Sequence, residues 1–203
     1  MARTLSPIPR LILASGSPYK RKLLSRLMLP FECRSPACDE LRCGTPCAVA
    51  LENARRKAEA VARECPEAWI IGADQVAVLD TGEILGKPGS SARAEAQLER
   101  MSGGSVCFLT AAVLRTPSGT SSAVVPTTVH LRRLTRAEIR AYVAADRPLD
   151  SAGSFKVESL GIALFTKIET ADPTALEGLP LITLAGWLEP LRRLQTGSRI
   201  TKL

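Results

Sequence analysis

Aromatic residues, histidine and long apolar runs are all scarce in this 203-residue chain. Aromatics make up 4% of the residues and are not interleaved with Lys/Arg runs, which argues against a base-stacking surface for single-stranded nucleic acid. No segment reaches the roughly 20 apolar residues that a membrane-spanning helix needs. The single histidine, His130, lies in the strand-like stretch VHLRRL without a nucleophile motif, so a Ser-His-Asp triad has little support.

Two common nucleotide-binding signatures are also missing. The chain contains neither GxxxxGK[ST] nor G-x-G-x-x-G, which excludes a P-loop enzyme and the dinucleotide fingerprint. The opening residues MARTLSPIPR lack the apolar centre of a secretory signal, so the cytoplasm is the expected location.

Cysteine is present, but its spacing is not that of a typical metal site. Cys33, Cys38, Cys43 and Cys47 are arranged as C-x4-C-x4-C-x3-C, without the tight pairs and nearby histidine of most zinc sites. Disulfides are not expected in a protein that is not secreted. We therefore expect incidental free thiols, with a metal site as the alternative.

The bulk properties favour one folded unit over residues 1–203, with residues 1–10 as an N-terminal extension. The net charge of +7 is spread along the chain, which suits a small polyanionic substrate at least as well as a nucleic acid. Strand and helix patterns mix without strict alternation, which predicts an α/β fold with a mixed sheet. Helices are predicted from Pro46 to about Glu64, at 91–101, at 135–145 and from Pro180; strands at 69–79, 83–85, 107–115, 123–134 and 161–168.

The most informative segment is LILASGSPYKRKLL, residues 11–24. It predicts a buried strand, a turn that contains Ser15 and Ser17, and a helix capped by Ser17. Lys20 and Arg21 then occupy the first helical turn, where cations are normally disfavoured. At 100° per residue they share a face with Leu24, Leu27 and Met28, so they point inward. An anion at the helix N-terminus would explain them; the alternative is that both side chains reach solvent or pair with internal carboxylates.

Further charged residues are also predicted to point inward. Lys57 shares a helix face with alanines and valine, Asp74 interrupts the apolar strand IIGADQVAVL, and Lys87 lies in the constrained loop GKP. Lys156 and Glu158 lie on one side of the chain if AGSFKVES is extended. Each could be a structural ion pair. Together, the cations could hold phosphates while the carboxylates bind a divalent metal and orient water.

The order of these motifs resembles that of the Maf family of nucleotide pyrophosphatases, from about Leu11 to Leu194. The matching stretches are SGSPYKRKLL, Asp39–Glu40, ENARRKA, IIGADQV, GKP, AGSFKVE, GIALF and DPTALEGLPL.

The resemblance implies an inosine-triphosphate-pyrophosphatase-like fold, a mixed twisted sheet flanked by helices, with two lobes around a cleft and often a homodimer. It implies hydrolysis of nucleoside triphosphates to the monophosphate and pyrophosphate with a divalent cation, Mg²⁺ or Mn²⁺. By motif, Asp74 would be the proton acceptor and Glu40 would help hold the metal or water. The triphosphate would be held by Ser15, Ser17, Lys20, Arg21, Lys57 and Lys87.

The resemblance also places base selection at Tyr19, Gln75 and Glu158. This set is similar to the branch of the family that acts on 7-methyl-GTP, although Tyr19 stands for the usual Trp and Lys20 for the first Arg. N7-methylation makes guanine cationic, which favours an aromatic face. A carboxylate such as Glu158 can accept hydrogen bonds from guanine N1–H and its amino group.

Several alternatives remain open at this point. Within the enzyme class these are a dTTP/UTP pyrophosphatase and a house-cleaning triphosphatase with loose base choice. From another class, the chain could be a nucleotide- or nucleic-acid-binding regulator that uses the same cleft without chemistry. The carboxylates Asp74 and Glu40 argue against the regulator, because a pure binder needs no group that activates water.

Overall fold

The computed structural model describes residues 8–200, which build a seven-stranded sheet with helices on both faces. The strands are β1 (Leu11–Ala14), β2 (Glu32–Arg34), β3 (Trp69–Leu79), β4 (Ile84–Leu85), β5 (Ser105–Thr116), β6 (Gly119–Leu131) and β7 (Phe165–Thr170). The helices are α1 (Pro18–Ser25), α2 (Pro46–Glu64), α3 (Ser91–Met101), α4 (Arg136–Asp146), α5 (Leu181–Trp187) and α6 (Glu189–Ile200). Most of the predicted extension, residues 1–7, lies outside the described residues.

The sheet is mixed, as the sequence predicts. Its strand order is β2-β1-β3-β5-β6-β7, and β4 pairs with β3 outside this path. β1 runs parallel to β2 and β3, whereas the other pairs are antiparallel. The predicted α/β class with a mixed sheet flanked by helices is therefore confirmed.

Strand β3 is the centre of the sheet, and its two faces pack against different helices. Ile70 belongs to the apolar cluster beneath α2, whereas Ile71 and Ala73 belong to the cluster formed with α1, α5 and α6. Because side chains alternate along a strand, the next two residues also go to opposite faces. Asp74 faces α2, and Gln75 faces the 3₁₀ segment Pro173–Glu177.

A third apolar cluster fills the far end of the sheet. Phe108, Val129 and Leu98 are fully buried there, among residues from β5, β6, α3 and α4. Phe155 stacks edge-on against Phe108 at a ring-centroid distance of 5.1 Å. A cleft of about 1010 Å³ lies between this end of the molecule and the β1–α1 end. Among residues 8–200 there is no helix of the length and hydropathy that crossing a bilayer requires.

Most predicted elements have the expected bounds to within two residues, but the strand predicted over 123–134 runs from Gly119 to Leu131. The capping box of Thr135 and Glu138 opens α4, and the C-terminal helix restarts at Glu189, beside Pro190. Strand β2 was not predicted because its three residues are too short to show a period. The strand predicted over 161–168 is wrong at its start, since residues 160–164 form a 3₁₀ helix before β7.

The prediction that Arg21 and Met28 point inward is wrong. The buried residues of α1 are Leu23 and Leu24, so its inward direction coincides with Lys20, and Arg21 lies about 110° away from it. Arg21 is exposed on the outer surface of the helix. The helix ends at Ser25, so its period does not extend to Met28, which has φ = 56° and is 87% exposed.

The contact between β3 and α2 depends on Gly72. A Cβ at this position would lie 2.1 Å from the carbonyl oxygen of Ala54 and 2.9 Å from the backbone nitrogen of Ala58. Gly72→Ala should therefore lower the free energy of unfolding by about 1–3 kcal/mol, measured by thermal denaturation. The matched control is Gly186→Ala in α5, where a Cβ meets nothing within 4 Å. This control should be neutral or slightly stabilising; equal melting temperatures for the two variants would contradict the close packing.

Candidate active site

The turn between β1 and α1 lines the cleft. Ser17 caps the helix, and its hydroxyl accepts a hydrogen bond from the Lys20 amide at 3.4 Å. The Ser15 hydroxyl accepts from the Ser17 amide at 3.1 Å, and both serines line the cleft. A Cβ at Gly16 would meet the Ser35 hydroxyl at 2.7 Å, so a larger residue would displace this turn or its neighbour. The turn supplies the donors and the positive dipole end that suit a phosphate.

Lys20 points from the first turn of α1 into the cleft. Its ammonium packs so close to Gly178 that a Cβ there would lie 3.4 Å from Nζ, and Gly178 has φ = +108°. Loss of surrounding water lowers the pKa of Lys20 to about 8, and repulsion from Lys57 and Lys87 acts in the same direction. An anionic ligand would offset both effects and stabilise the charged form of Lys20.

Lys57 joins the two acidic residues of the site. Its ammonium lies 2.6 Å from Asp74 Oδ1 and 2.7 Å from Glu40 Oε1, and the side chains of Lys57 and Asp74 are only 14% and 13% exposed. Burial lowers the pKa of Lys57, but attraction to Asp74 and Glu40 outweighs it and leaves the pKa raised. The hydrogen bond from Lys57 holds the pKa of Glu40 below its usual range. The charged forms of these residues therefore stabilise one another.

Asn53 is a site residue that the sequence analysis did not identify. It is 3% exposed and donates from Nδ2 to Asp74 Oδ2 at 3.2 Å. The same amide group donates to the Leu41 carbonyl at 3.1 Å, and Oδ1 accepts from the Leu41 amide at 2.6 Å. A neutral amide within a helix shows no charge anomaly in the sequence; its only signal is a polar residue on the buried face of α2.

Gln75 is held by the 3₁₀ segment on the other face of β3. Its amide nitrogen donates to the carbonyls of Ala175 and Leu176 at 2.9 and 3.1 Å, and to the Thr110 hydroxyl at 2.9 Å. Thr110 is fully buried, and its hydroxyl donates to the Ala175 carbonyl at 2.8 Å. The hydrogen bonds of the Gln75 amide nitrogen are thus made within the protein. The amide oxygen is the atom that could bind a ligand.

Tyr19 and Glu158 also line the cleft, on segments far apart in sequence. The Lys156 ammonium lies 5.7 Å from the centre of the Tyr19 ring and 3.5 Å from Asp150. The segment around Lys156 is not extended, because the Ser159 and Gly161 amides both donate to the Lys156 carbonyl. Glu158 is consequently exposed in the cleft while the Lys156 side chain is largely covered.

The remaining predicted residues are distributed as follows. Lys87 is exposed at the cleft, in a loop whose Gly86 carbonyl accepts a hydrogen bond from Gln97 at 3.1 Å. Arg21 faces a separate surface depression, together with Lys22 and Ser25, and does not line the cleft. The cleft thus brings together Ser15, Ser17, Tyr19, Lys20, Glu40, Lys57, Asp74, Gln75, Lys87 and Glu158.

The carboxylates of Glu40 and Asp74 suit one kind of metal ligation. Mg²⁺ commonly takes one or two protein carboxylates and completes its shell with water and substrate phosphates. The Lys57 ammonium forms an ion pair with each of these carboxylates. Within residues 8–200, no group of three or more His, Cys, Asp or Glu side chains is arranged to hold a metal by itself. All six cysteines are free thiols.

Comparison with known proteins identifies the family. The family model described as Maf-like protein matches residues 10–191. The chain belongs to the Maf-like family. A relative from Xanthomonas oryzae pv. oryzae, named 7-methyl-GTP pyrophosphatase, is 55% identical over 180 residues, which are 88% of this chain and 94% of that protein. A Pseudomonas aeruginosa relative of the same name is 53% identical over 188 residues, 89% and 96% of the two chains.

Solved structures give weaker matches to this Maf-like chain. The Staphylococcus aureus Ham1 protein aligns with a TM-score of 0.43 and 18% identity, over 60% of this chain and 70% of that one. A nucleoside-triphosphatase (dITP/XTP pyrophosphatase) from Mycobacterium abscessus aligns with the same TM-score and identity, over 76% and 96% of the two chains.

The lowered pKa of Lys20 predicts that anion binding depends on pH. The ammonium is charged below about pH 8 and loses its charge as the pH rises through this value. Affinity for inorganic pyrophosphate should therefore fall between pH 7 and 9.5, by about tenfold or more if a charged hydrogen bond is lost. Calorimetric titrations of the unmodified protein and of Lys20→Arg, which stays charged, would isolate this effect. Parallel declines in the two proteins would contradict the assignment to Lys20.

Proposed function

We propose that this Maf-like protein is a nucleoside triphosphate pyrophosphatase that hydrolyses 7-methyl-GTP to 7-methyl-GMP and pyrophosphate, and so clears a modified nucleotide. The observation that carries the proposal is that Glu40 and Asp74 share Lys57 in one cleft, which Lys20 and Lys87 also line. The names of relatives at 53–55% identity support the substrate.

In the proposed mechanism Asp74 accepts the proton of the attacking water. The oxygen of this water bonds to the α phosphorus, the bond from that phosphorus to the α–β bridging oxygen breaks, and pyrophosphate leaves with the bridging oxygen. The phosphate oxygens are held, and the negative charge that develops is offset, by Ser15, Ser17, Lys20, Lys57 and Lys87. Arg21, which is exposed outside the cleft, is left out of this set.

A divalent cation, Mg²⁺ or Mn²⁺, is the proposed cofactor. Glu40 and Asp74 would hold it, together with substrate oxygens, because two carboxylates suit this hard cation. When bound, it would neutralise phosphate charge and polarise the reacting phosphoryl group.

Base selection is assigned to Tyr19, Gln75 and Glu158. The Tyr19 ring offers a π face to the cationic 7-methylguanine, and Glu158 offers a carboxylate to its N1–H and amino group. The Gln75 amide nitrogen is held by Ala175 and Leu176, so its oxygen is the atom available to a base donor.

The same proposal covers the setting of the enzyme. We place it in the cytoplasm as a single functional domain over residues 1–203, with the nucleotide as its small-molecule partner. No stable nucleic-acid or membrane partner is proposed, because the positive charge is spread along the chain. A homodimer is the assembly to test by light scattering.

The reaction is tested by pyrophosphate release from 7-methyl-GTP, GTP, dTTP, UTP and CTP in Mg²⁺ or Mn²⁺. Asp74→Asn should lower kcat by about 10²–10⁴-fold, because it removes the proton acceptor. Asp80→Asn is the matched control: it changes an exposed carboxylate just beyond the end of β3 and should keep normal turnover. A near-normal rate for Asp74→Asn would contradict the general base. Preference for dTTP or UTP would overturn the substrate, and no release from any triphosphate would favour the binding regulator.

Base recognition is tested by comparing two substrates that differ only in the methyl group. Tyr19→Leu should lower kcat/KM for 7-methyl-GTP about fivefold more than for GTP, since a cation–π contact contributes roughly 1 kcal/mol. Glu158→Gln should instead lower both values together, because both bases carry the same N1–H and amino donors. An equal loss for both substrates in Tyr19→Leu would contradict stacking on the charged base.

A further inference from the structure

The loop that carries Glu40 is attached to one face of α2. Asn53, Arg56 and Lys57 occupy positions i, i+3 and i+4 of the helix, which lie side by side. They bind three consecutive loop residues: Lys57 pairs with Glu40, Asn53 binds both backbone groups of Leu41, and the Arg56 guanidinium donates to the Asp39 carbonyl at 3.5 Å. The position of Glu40 therefore depends on the side chains of this helix face.

Asn53 differs from the other two because it is buried and neutral. It is 3% exposed, whereas the Arg56 side chain is 39% exposed. Its amide forms a two-bond pair with the Leu41 peptide, with Nδ2 as donor and Oδ1 as acceptor. The same Nδ2 also donates to Asp74 Oδ2, on the side of the carboxylate that Lys57 does not bind. One side chain thus contacts the loop next to Glu40 and Asp74 itself.

We infer that Asn53 is a positioning residue for the reaction: it fixes the Glu40 loop against Asp74 and sets the orientation of the Asp74 carboxylate. Lys57 can hold the two carboxylates together as a charge, but an ammonium is free to turn and does not define an angle. The planar Asn53 amide has a fixed hydrogen-bonding geometry. Its hydrogen bonds to Leu41 and Asp74 therefore define the angle between the loop and the Asp74 carboxylate. Misplacement of a reacting group by about 1 Å can cost about 10²-fold in rate.

The inference rests on the proposed function, and the test separates the two. Asn53→Ala removes all three hydrogen bonds. Asn53→Asp has the same shape and keeps an acceptor for the Leu41 amide, but it cannot donate to the Leu41 carbonyl or to Asp74. Both variants should lower kcat for 7-methyl-GTP by about 10–100-fold, with KM changed less than about threefold, because the hydrogen bonds of Asn53 go to Leu41 and Asp74.

The control for general destabilisation is Val61→Ala on the same helix. Val61 is 2% exposed and belongs to the cluster beneath α2, so its truncation opens a cavity in that apolar cluster. This variant should melt at a lower temperature than the unmodified protein and keep its kcat. A kcat for Asn53→Ala within twofold of the unmodified value would overturn the inference. An equal fall in kcat in Asn53→Ala and Val61→Ala would also overturn it.

A second readout does not depend on turnover. The Leu41 amide is held by Asn53 Oδ1, so its hydrogen exchange, followed by NMR, should be about fivefold or more faster in Asn53→Ala. Exchange of the Leu41 amide should be slower in Asn53→Asp than in Asn53→Ala, because the aspartate retains the acceptor. Unchanged Leu41 exchange in Asn53→Ala would overturn the docking of the loop. If the unmodified protein released no pyrophosphate from any triphosphate, the proposed function would fail, and Leu41 exchange alone would decide the role of Asn53 in holding the loop.

Discussion

The contact of Lys57 with two carboxylates is the interaction on which the site depends. Burying a charge without a partner is costly, so the largely buried charges of Lys57 and Asp74 are stable here only because helix α2 lies very close to strand β3. Gly72, two residues before Asp74 on the same face, permits that approach, together with the small side chains of Ala54 and Ala58. A stripe of small residues thus brings Lys57 to within 2.6 Å of Asp74.

Lys20 is a cleft residue whose surroundings disfavour its charge. Lys20 loses water and lies among other lysines, which lowers its pKa to about 8. A protein that only needed stability would avoid this arrangement, because each effect disfavours the charged ammonium. The arrangement makes sense in a site completed by a polyanion, and the start of α1 beside it favours an anion in the same way.

Much of this could be predicted from the sequence because the signals are local. Ser17 with Pro18, and Thr45 with Pro46, mark helix starts, and both caps form hydrogen bonds in the structure. The inward orientation of Lys57 followed from its spacing with alanines. Arg21 was misjudged because an eight-residue helix leaves its inward direction uncertain by one residue, or 100°.

Other features depend on contacts between distant segments, which periodicity does not report. The Gln75 amide binds carbonyls one hundred residues further along the chain. Asn53 is recognisable only when Leu41 and Asp74 are seen beside it. The turn after Lys156 depends on two backbone hydrogen bonds to one carbonyl, so Glu158 could be assigned to the cleft only through the family resemblance, not from an extended chain.

The alternation of β3 has a consequence for how such an enzyme can change. Asp74 and Gln75 are neighbours in sequence, yet one side chain meets α2 and the other meets the segment Pro173–Glu177 on the opposite face. With the proposed roles of the two residues, the strand would separate water activation from base choice. Substitutions behind Gln75 would then alter which nucleotide is accepted while the carboxylates stay in place, so a family built on this strand could diversify its substrates and keep its chemistry.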